Sequence, residues 1–176
     1  MFSDPMQKPL PRQGDPRKFA QQGISLEGFI PLASLPRLAE SLEHTNDQVA
    51  VRLDFGISEE GKKSVTGSAN ADLTLVCQRC LSPVVVAVEC QIALAVVWTE
   101  DSAKALPPHL DPWIVDEGPA DLYDMVEEEL LLNLPAVAYH EEQCVDPKLY
   151  TSGEPVVVKK EKNPFQVLEQ LKSSPK

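Results

Sequence analysis

The chain has no apolar stretch long enough to cross a bilayer. Its longest run, Val84 to Trp98, is broken by Glu89 and Gln91 and falls short of the ~20 apolar residues that a spanning helix needs. The opening residues Met1-Phe2-Ser3-Asp4-Pro5 lack a basic segment followed by an apolar one, so no secretory signal is read there. A chain that stays in the cytoplasm keeps its cysteines reduced, and disulfides are not expected. Catalytic signatures are missing as well: there is no GxSxG, no Walker loop and no GxGxxG. His44 and His109 sit in polar or proline-rich stretches without a partnered nucleophile. No internal repeat is visible. The expectation is a protein that is not an enzyme and has no small-molecule substrate.

Cations are also in short supply, with 16 Lys/Arg against 27 Asp/Glu and a net charge of −11 over 176 residues. The deficit is uneven. Residues 1–20 hold four Lys/Arg against two Asp/Glu, residues 159–176 hold five against two, and the body between them carries −16. Broad docking on phosphates needs many cations on one face, which this body lacks. It suits a basic protein partner better, with nucleic-acid contacts left to the ends.

What is present reads as a small core with tails. Residues 1–20, rich in Pro, Gln and charge, read as a flexible basic arm. Gly23–Ile30 suggests an edge strand, and Ser34 an N-cap for a short helix carrying Leu35, Leu38, Ala39 and Leu42. Three long runs then alternate with period two. The first places Val49, Val51, Leu53, Phe55 and Ile57 on one face. The second places Val65, Gly67, Ala69, Ala71, Leu73, Leu75 and Cys77 on one face; the third, Val84, Val86, Val88, Cys90, Ile92, Leu94, Val96 and Trp98. Joined by short turns, they form an antiparallel meander. Trp113-Ile114-Val115 reads as one more short strand. Asp121 caps a helix from Leu122 to about Leu134, closed by Pro135, with Leu122, Met125, Val126, Leu130 and Leu134 facing the sheet. The compact domain spans residues 21–145 and a linker spans 146–162. A final short helix or docking motif at 163–172 carries Phe165, Leu168 and Leu171 behind an Asn163-Pro164 cap. The fold class is α+β: an antiparallel meander of about four to five strands, one amphipathic helix packed on it, and flexible termini.

One constellation carries chemistry. Cys77-Gln78-Arg79-Cys80 falls at the turn between the second and third runs, and His140 and Cys144 follow about sixty residues later. A CxxC turn and a distant His-x3-Cys can together supply the S3N donors of a closed, tetrahedral structural zinc site. Spacing alone leaves open whether the halves meet or are four ordinary residues. A thioredoxin-type redox role does not fit, since that motif opens a helix and here it joins two strand-patterned segments. Cys90, in phase with valines and leucines, belongs to the core. Glu127, Glu128 and Glu129 project in three directions and read as a solvated helix face.

Asp15-Pro16-Arg17, Val76 to Cys80, the block DLYDMVEEELLLNLP from Asp121 to Pro135 with His140 and Cys144 after it, and Asn163-Pro164-Phe165-x-x-Leu168-x-x-Leu171-Lys172 occur in this order. The series resembles the YceD family, the large ribosomal RNA subunit accumulation proteins of bacteria and plastids, from about residue 15 to 172. The resemblance implies a non-enzymatic factor supporting synthesis, processing or stability of 23S ribosomal RNA. Combined with the charge partition, it suggests a pre-50S particle, 23S rRNA or a basic ribosomal protein as partner. Local RNA contacts are expected from Arg12, Arg17 and Lys18 in the arm, Lys62 and Lys63 at the hairpin, Arg79 at the CxxC turn, and Lys159, Lys160, Lys162 and Lys172 in the tail. The alternative is a small zinc-ribbon-like adaptor or chaperone without a ribosomal role.

Overall fold

A computed structural model describes residues 8–149. The expected linker beyond Leu149 and the Phe165/Leu168/Leu171 helix lie outside the described residues. The chain divides into two units, Met1–Glu142 and Gln143–Lys176. Among its described residues the second holds a 3-10 turn at Pro147–Leu149. The first runs β1 (Gln13–Gly14), α1 (Pro16–Gln22), β2 (Ser25–Pro31), α2 (Pro36–Ala39), β3 (Gln48–Ile57), β4 (Lys63–Val76), β5 (Pro83–Val97), α3 (Glu100–Lys104), β6 (Asp111–Ile114), β7 (Ala120–Asp121) and α4 (Leu122–Asn133).

Alternation along β3, β4 and β5 lays an apolar stripe on one sheet face, and the sheet forms in the order β2-β3-β4-β5-β6. Neighbours are antiparallel except β5 and β6, which run parallel because the chain crosses back over α3 between them. A second, two-stranded sheet pairs β1 with β7. Leu53, Val65, Leu73 and Ile92 are buried in one core, to which α4, packed on β5, contributes Leu122, Met125, Val126 and Leu130. Asp121 caps α4 by accepting from the backbone N–H groups of Tyr123 and Asp124. Gly67 in β4 has a spacing reason: a Cβ there would come within 1.9 Å of the Arg52 carbonyl oxygen on β3. The alternation ends sooner than its pattern, since Ile57 and Trp98 at the strand ends are 60% and 39% exposed.

Three local readings are corrected. Residues 8–20 are built into the fold, where an arm was expected. Lys8–Leu10 runs along the outer edge of β2, with Leu10 N–H donating to the Phe29 carbonyl at 2.9 Å and Phe29 N–H to the Lys8 carbonyl at 3.0 Å. Leu10 and Ala20 are buried, and Phe19 meets Phe55 edge-on at 5.2 Å. Apolar anchors spaced among prolines and charges escaped a composition-based reading. Second, Ser34 does not cap α2. It closes a preceding 3-10 turn, Leu32–Ser34, and the α2 cap position is Leu35, with no side-chain hydrogen bond.

The third correction explains the second. Glu127 is not on a solvated face: it is 2% exposed, and its carboxylate accepts the Leu38 backbone N–H in the first turn of α2 at 3.0 Å. A helix start without its own cap is thus satisfied by a carboxylate from another helix. Its neighbour Glu128 pairs with Arg37 at 3.2 Å on the surface. Glu127→Ala would strand a buried donor and is expected to cost about 1–3 kcal/mol of stability. Glu127→Gln keeps the acceptor and should lose much less. Urea unfolding of the two variants checks this, and equal stabilities would contradict the capping role.

Cys90 is fully buried beside the Asn133 amide, which donates to its sulfur at 3.3 Å. Burial, reinforced by the nearby charge of Glu129, pushes its thiol up to about 11. Below the ordinary thiol value the neutral form costs nothing. As pH rises from 9.0 toward about 11, the unfolded chain ionises first and stability falls. Iodoacetamide at pH 8 should therefore label Cys90 far more slowly in the folded protein than in protein unfolded by urea. Equal labelling rates, followed by mass spectrometry, would contradict this assignment.

Candidate metal centre

The turn between β4 and β5 is a tight loop closed by the chain itself. Cys77 N–H donates to the Ser82 carbonyl at 2.9 Å, and Leu81 N–H donates back to the Cys77 carbonyl at 2.9 Å. Leu81 turns the corner with φ of +60°. Cys77 is buried and Cys80 half-buried. The segment leaving α4 is then drawn onto this turn, where Gln78 N–H donates to the Ala138 carbonyl at 2.9 Å. Arg79 holds the same segment from outside. Its guanidinium donates to the His140 carbonyl and, at 3.5 Å, to that of Glu142, and it lies 4.9 Å from the centre of the Tyr139 ring.

His140 therefore reaches the cysteines. Its Nδ1 is 3.4 Å from Cys80 Sγ, and its Nε2 is 3.1 Å from the Pro83 carbonyl oxygen. A carbonyl can only accept, so Nε2 carries the proton. Nδ1 is left facing the sulfurs, the arrangement in which a second partner orients a ligating imidazole. Burial works against ionising Cys77, but the backbone N–H groups of Cys80, Arg79 and His140 overcome it and lower the thiol to about 5. Its ionised sulfur supports the fold above the ordinary thiol value of 9.0, and that support is lost as pH falls through about 5. The hydrogen bond to Cys77 raises His140 in turn.

One ligand atom each from Cys77, Cys80, His140 and Cys144 lies within 4.8 Å of the others. On a tetrahedron with metal–sulfur bonds of about 2.3 Å, ligand sulfurs stand about 3.8 Å apart. The four residues thus form a group able to hold a metal ion after a small contraction. Three thiol sulfurs and one imidazole nitrogen are soft donors, suited to a tetrahedral ion of the zinc type and unsuited to magnesium or calcium.

The cations expected to contact RNA do not gather here, apart from Arg79. Arg17 of α1 and Lys63 at the start of β4 meet at Trp98, and Lys62 is adjacent. Lys18 pairs with Asp15, the N-cap of α1, at 3.4 Å. Arg12 is committed to Asp121 at 2.8 Å and lies over Tyr123. The 14 residues of β4 separate Lys63 from the cysteine turn by about 45 Å at ~3.3 Å per residue. Lys159, Lys160, Lys162, Phe165, Leu168, Leu171 and Lys172 lie outside the described residues. The sequence reading missed Trp98 and Tyr139. Trp98 was in phase with buried neighbours, which hid it; Tyr139, an aromatic next to a candidate ligand, was a usable signal.

Among the described residues, no helix is long and apolar enough to cross a membrane. No solved structure matches the chain. Over 167 residues it is 36% identical to the large ribosomal RNA subunit accumulation protein YceD of Haemophilus influenzae, covering 93% of this chain and 96% of that protein. Residues 65–172, which include the cysteine turn, His140 and Cys144, match the family described as large ribosomal RNA subunit accumulation protein YceD. The chain belongs to the YceD family.

Proposed function

We propose that this protein is a cytoplasmic, non-catalytic ribosome biogenesis factor that supports synthesis, processing or stability of 23S rRNA by binding. Its partners are the pre-50S particle, 23S rRNA, a basic ribosomal protein, or a combination of these. The observation that carries the reading is its likeness to a large ribosomal RNA subunit accumulation protein over nearly the full length of both chains. The charge partition supports binding through a basic protein surface: the body between residues 20 and 159 is strongly acidic and would repel a continuous phosphate track. RNA contact is then local, through Arg17, Lys18, Lys62, Lys63, Arg79 and the tail residues Lys159, Lys160, Lys162 and Lys172. Phe165, Leu168 and Leu171 serve as a docking stripe. A strain lacking the gene is expected to show a reduced 50S-to-30S ratio on sucrose gradients. A normal ratio would leave the protein as an adaptor without a ribosomal role.

Cys77, Cys80, His140 and Cys144 hold a structural zinc in this reading. Three protein thiolates and one imidazole fill the tetrahedron, so the ion crosslinks the β4–β5 turn to the segment after α4 and activates no water. The depressed Cys77 thiol and the proton fixed on His140 Nε2 favour it, because ligation needs a thiolate and a bare ring nitrogen. Purified protein should carry close to one zinc per chain, and Cys80→Ser should lose most of it. Elemental analysis below about 0.2 zinc per chain would remove the metal from this account.

A further inference from the structure

Trp98 stands immediately beyond β5, partly exposed, with two cations against its ring. The Arg17 guanidinium carbon is 5.5 Å from the ring centre and Lys63 Nζ is 5.2 Å from it. Among the described residues neither cation has a carboxylate within ion-pair distance, whereas Arg12, Lys18, Arg37 and Arg52 all do. The ring forms a shared wall between two clefts. One, of 530 Å³, is lined by Arg17, Lys63, Trp98, Val115, Asp116 and Glu117. The other, of 340 Å³, includes Lys62, Ser102 and Leu106. In an acidic protein this is the one place among the described residues where two cations without a carboxylate partner lie against one exposed aromatic ring.

We infer that Trp98 with Arg17 and Lys63 is a binding site for one unpaired nucleotide of RNA, with its base stacked on the indole and its phosphate held by the two cations. This rests on the rRNA-binding reading above and gives it a location. A base takes a ring face that a cation now covers, and the displaced cation, on a flexible stem, moves to the phosphate. Asp116 and Glu117, on the same cleft, repel a phosphate and accept hydrogen bonds from exocyclic amino groups. They orient the nucleotide with its sugar–phosphate toward Arg17 and Lys63, and they favour amino-bearing bases over uracil. A base held in a duplex is already stacked on both faces and cannot enter, so the site selects single-stranded or looped RNA. Contact at one nucleotide also answers the charge problem, because it requires no continuous basic track.

The test uses the full chain and 12-nucleotide oligo(rC) and oligo(rU), with affinity read by fluorescence anisotropy. In a Trp113→Phe background Trp98 is the sole indole, and its emission should quench as oligo(rC) is added. Oligo(rC) should bind about fivefold tighter than oligo(rU). Trp98→Ala should weaken oligo(rC) binding about tenfold, with Trp98→Phe retaining most of it. Lys63→Gln should lower the slope of log affinity against log salt by about 1. Circular dichroism establishes that each variant is folded. Co-sedimentation with pre-50S particles is measured in parallel. If the parent protein sediments with the particle but does not bind oligo(rC), or if folded Trp98→Ala binds oligo(rC) as tightly as the parent, this site is overturned and the ribosomal reading stands. Loss of co-sedimentation in Trp98→Ala with oligo(rC) affinity unchanged also overturns it and assigns the surface to a protein. Failure of the parent to sediment with the particle overturns the ribosomal reading itself.

Discussion

The docking of α4 on the sheet organises the rest of the first unit. Its apolar side supplies Leu122, Met125, Val126 and Leu130 to the core, and three polar contacts convert that burial into a defined position. Tyr123 donates its hydroxyl to the Leu10 carbonyl at 2.8 Å, which fixes the N-terminal segment. Glu127 closes the open start of α2. Pro135 ends the helix, and the chain beyond it reaches the cysteine turn through the Ala138 carbonyl. Buried polar groups of this kind contribute little net energy when satisfied and cost much when orphaned, so they select one arrangement over its neighbours. His140 owes its position beside Cys80 to this chain of contacts.

Two candidate sites lie at opposite ends of the same long strand. The thiol-rich turn closes one end of β4, and the cation–indole cluster closes the other, where Lys63 begins it. A 14-residue strand paired with β5 from Ser64 to Val76, and also with β3 from Lys63 to Asn70, is a stiff spacer. A metal at one end would stabilise the turn without entering the chemistry of the other.

Much of the central fold was legible because its physics is periodic. Alternation gave β3, β4 and β5, and a cap followed by apolar spacing and a proline gave α4 from Asp121 to Pro135. Long-range consequences were not. Nothing in Trp113-Ile114 states that its strand enters parallel, since direction depends on how the intervening residues cross over. Glu127 has two acidic neighbours and looks like them; only the uncapped start of α2, distant in sequence, makes it structural. Prolines and charges around Leu10 and Phe19 concealed a segment anchored by a few well-placed side chains. The CxxC and His-x3-Cys halves could be seen separately, whereas their proximity depended on the path of the chain after α4. Trp98 was in phase with buried residues, yet it sits one residue past the strand, where the sheet no longer covers it.

The short run Lys8–Leu10 has a consequence beyond packing. It occupies the outer side of β2, and its close approach depends on Gly28, where a Cβ would meet the Lys8 carbonyl oxygen at 2.5 Å. At the far margin of the sheet, β6 contains Pro112, which has no N–H to offer a further strand. Both flanks of the sheet are thereby denied to incoming chains. Edges closed in this way work against strand-to-strand polymerisation with copies of the same chain.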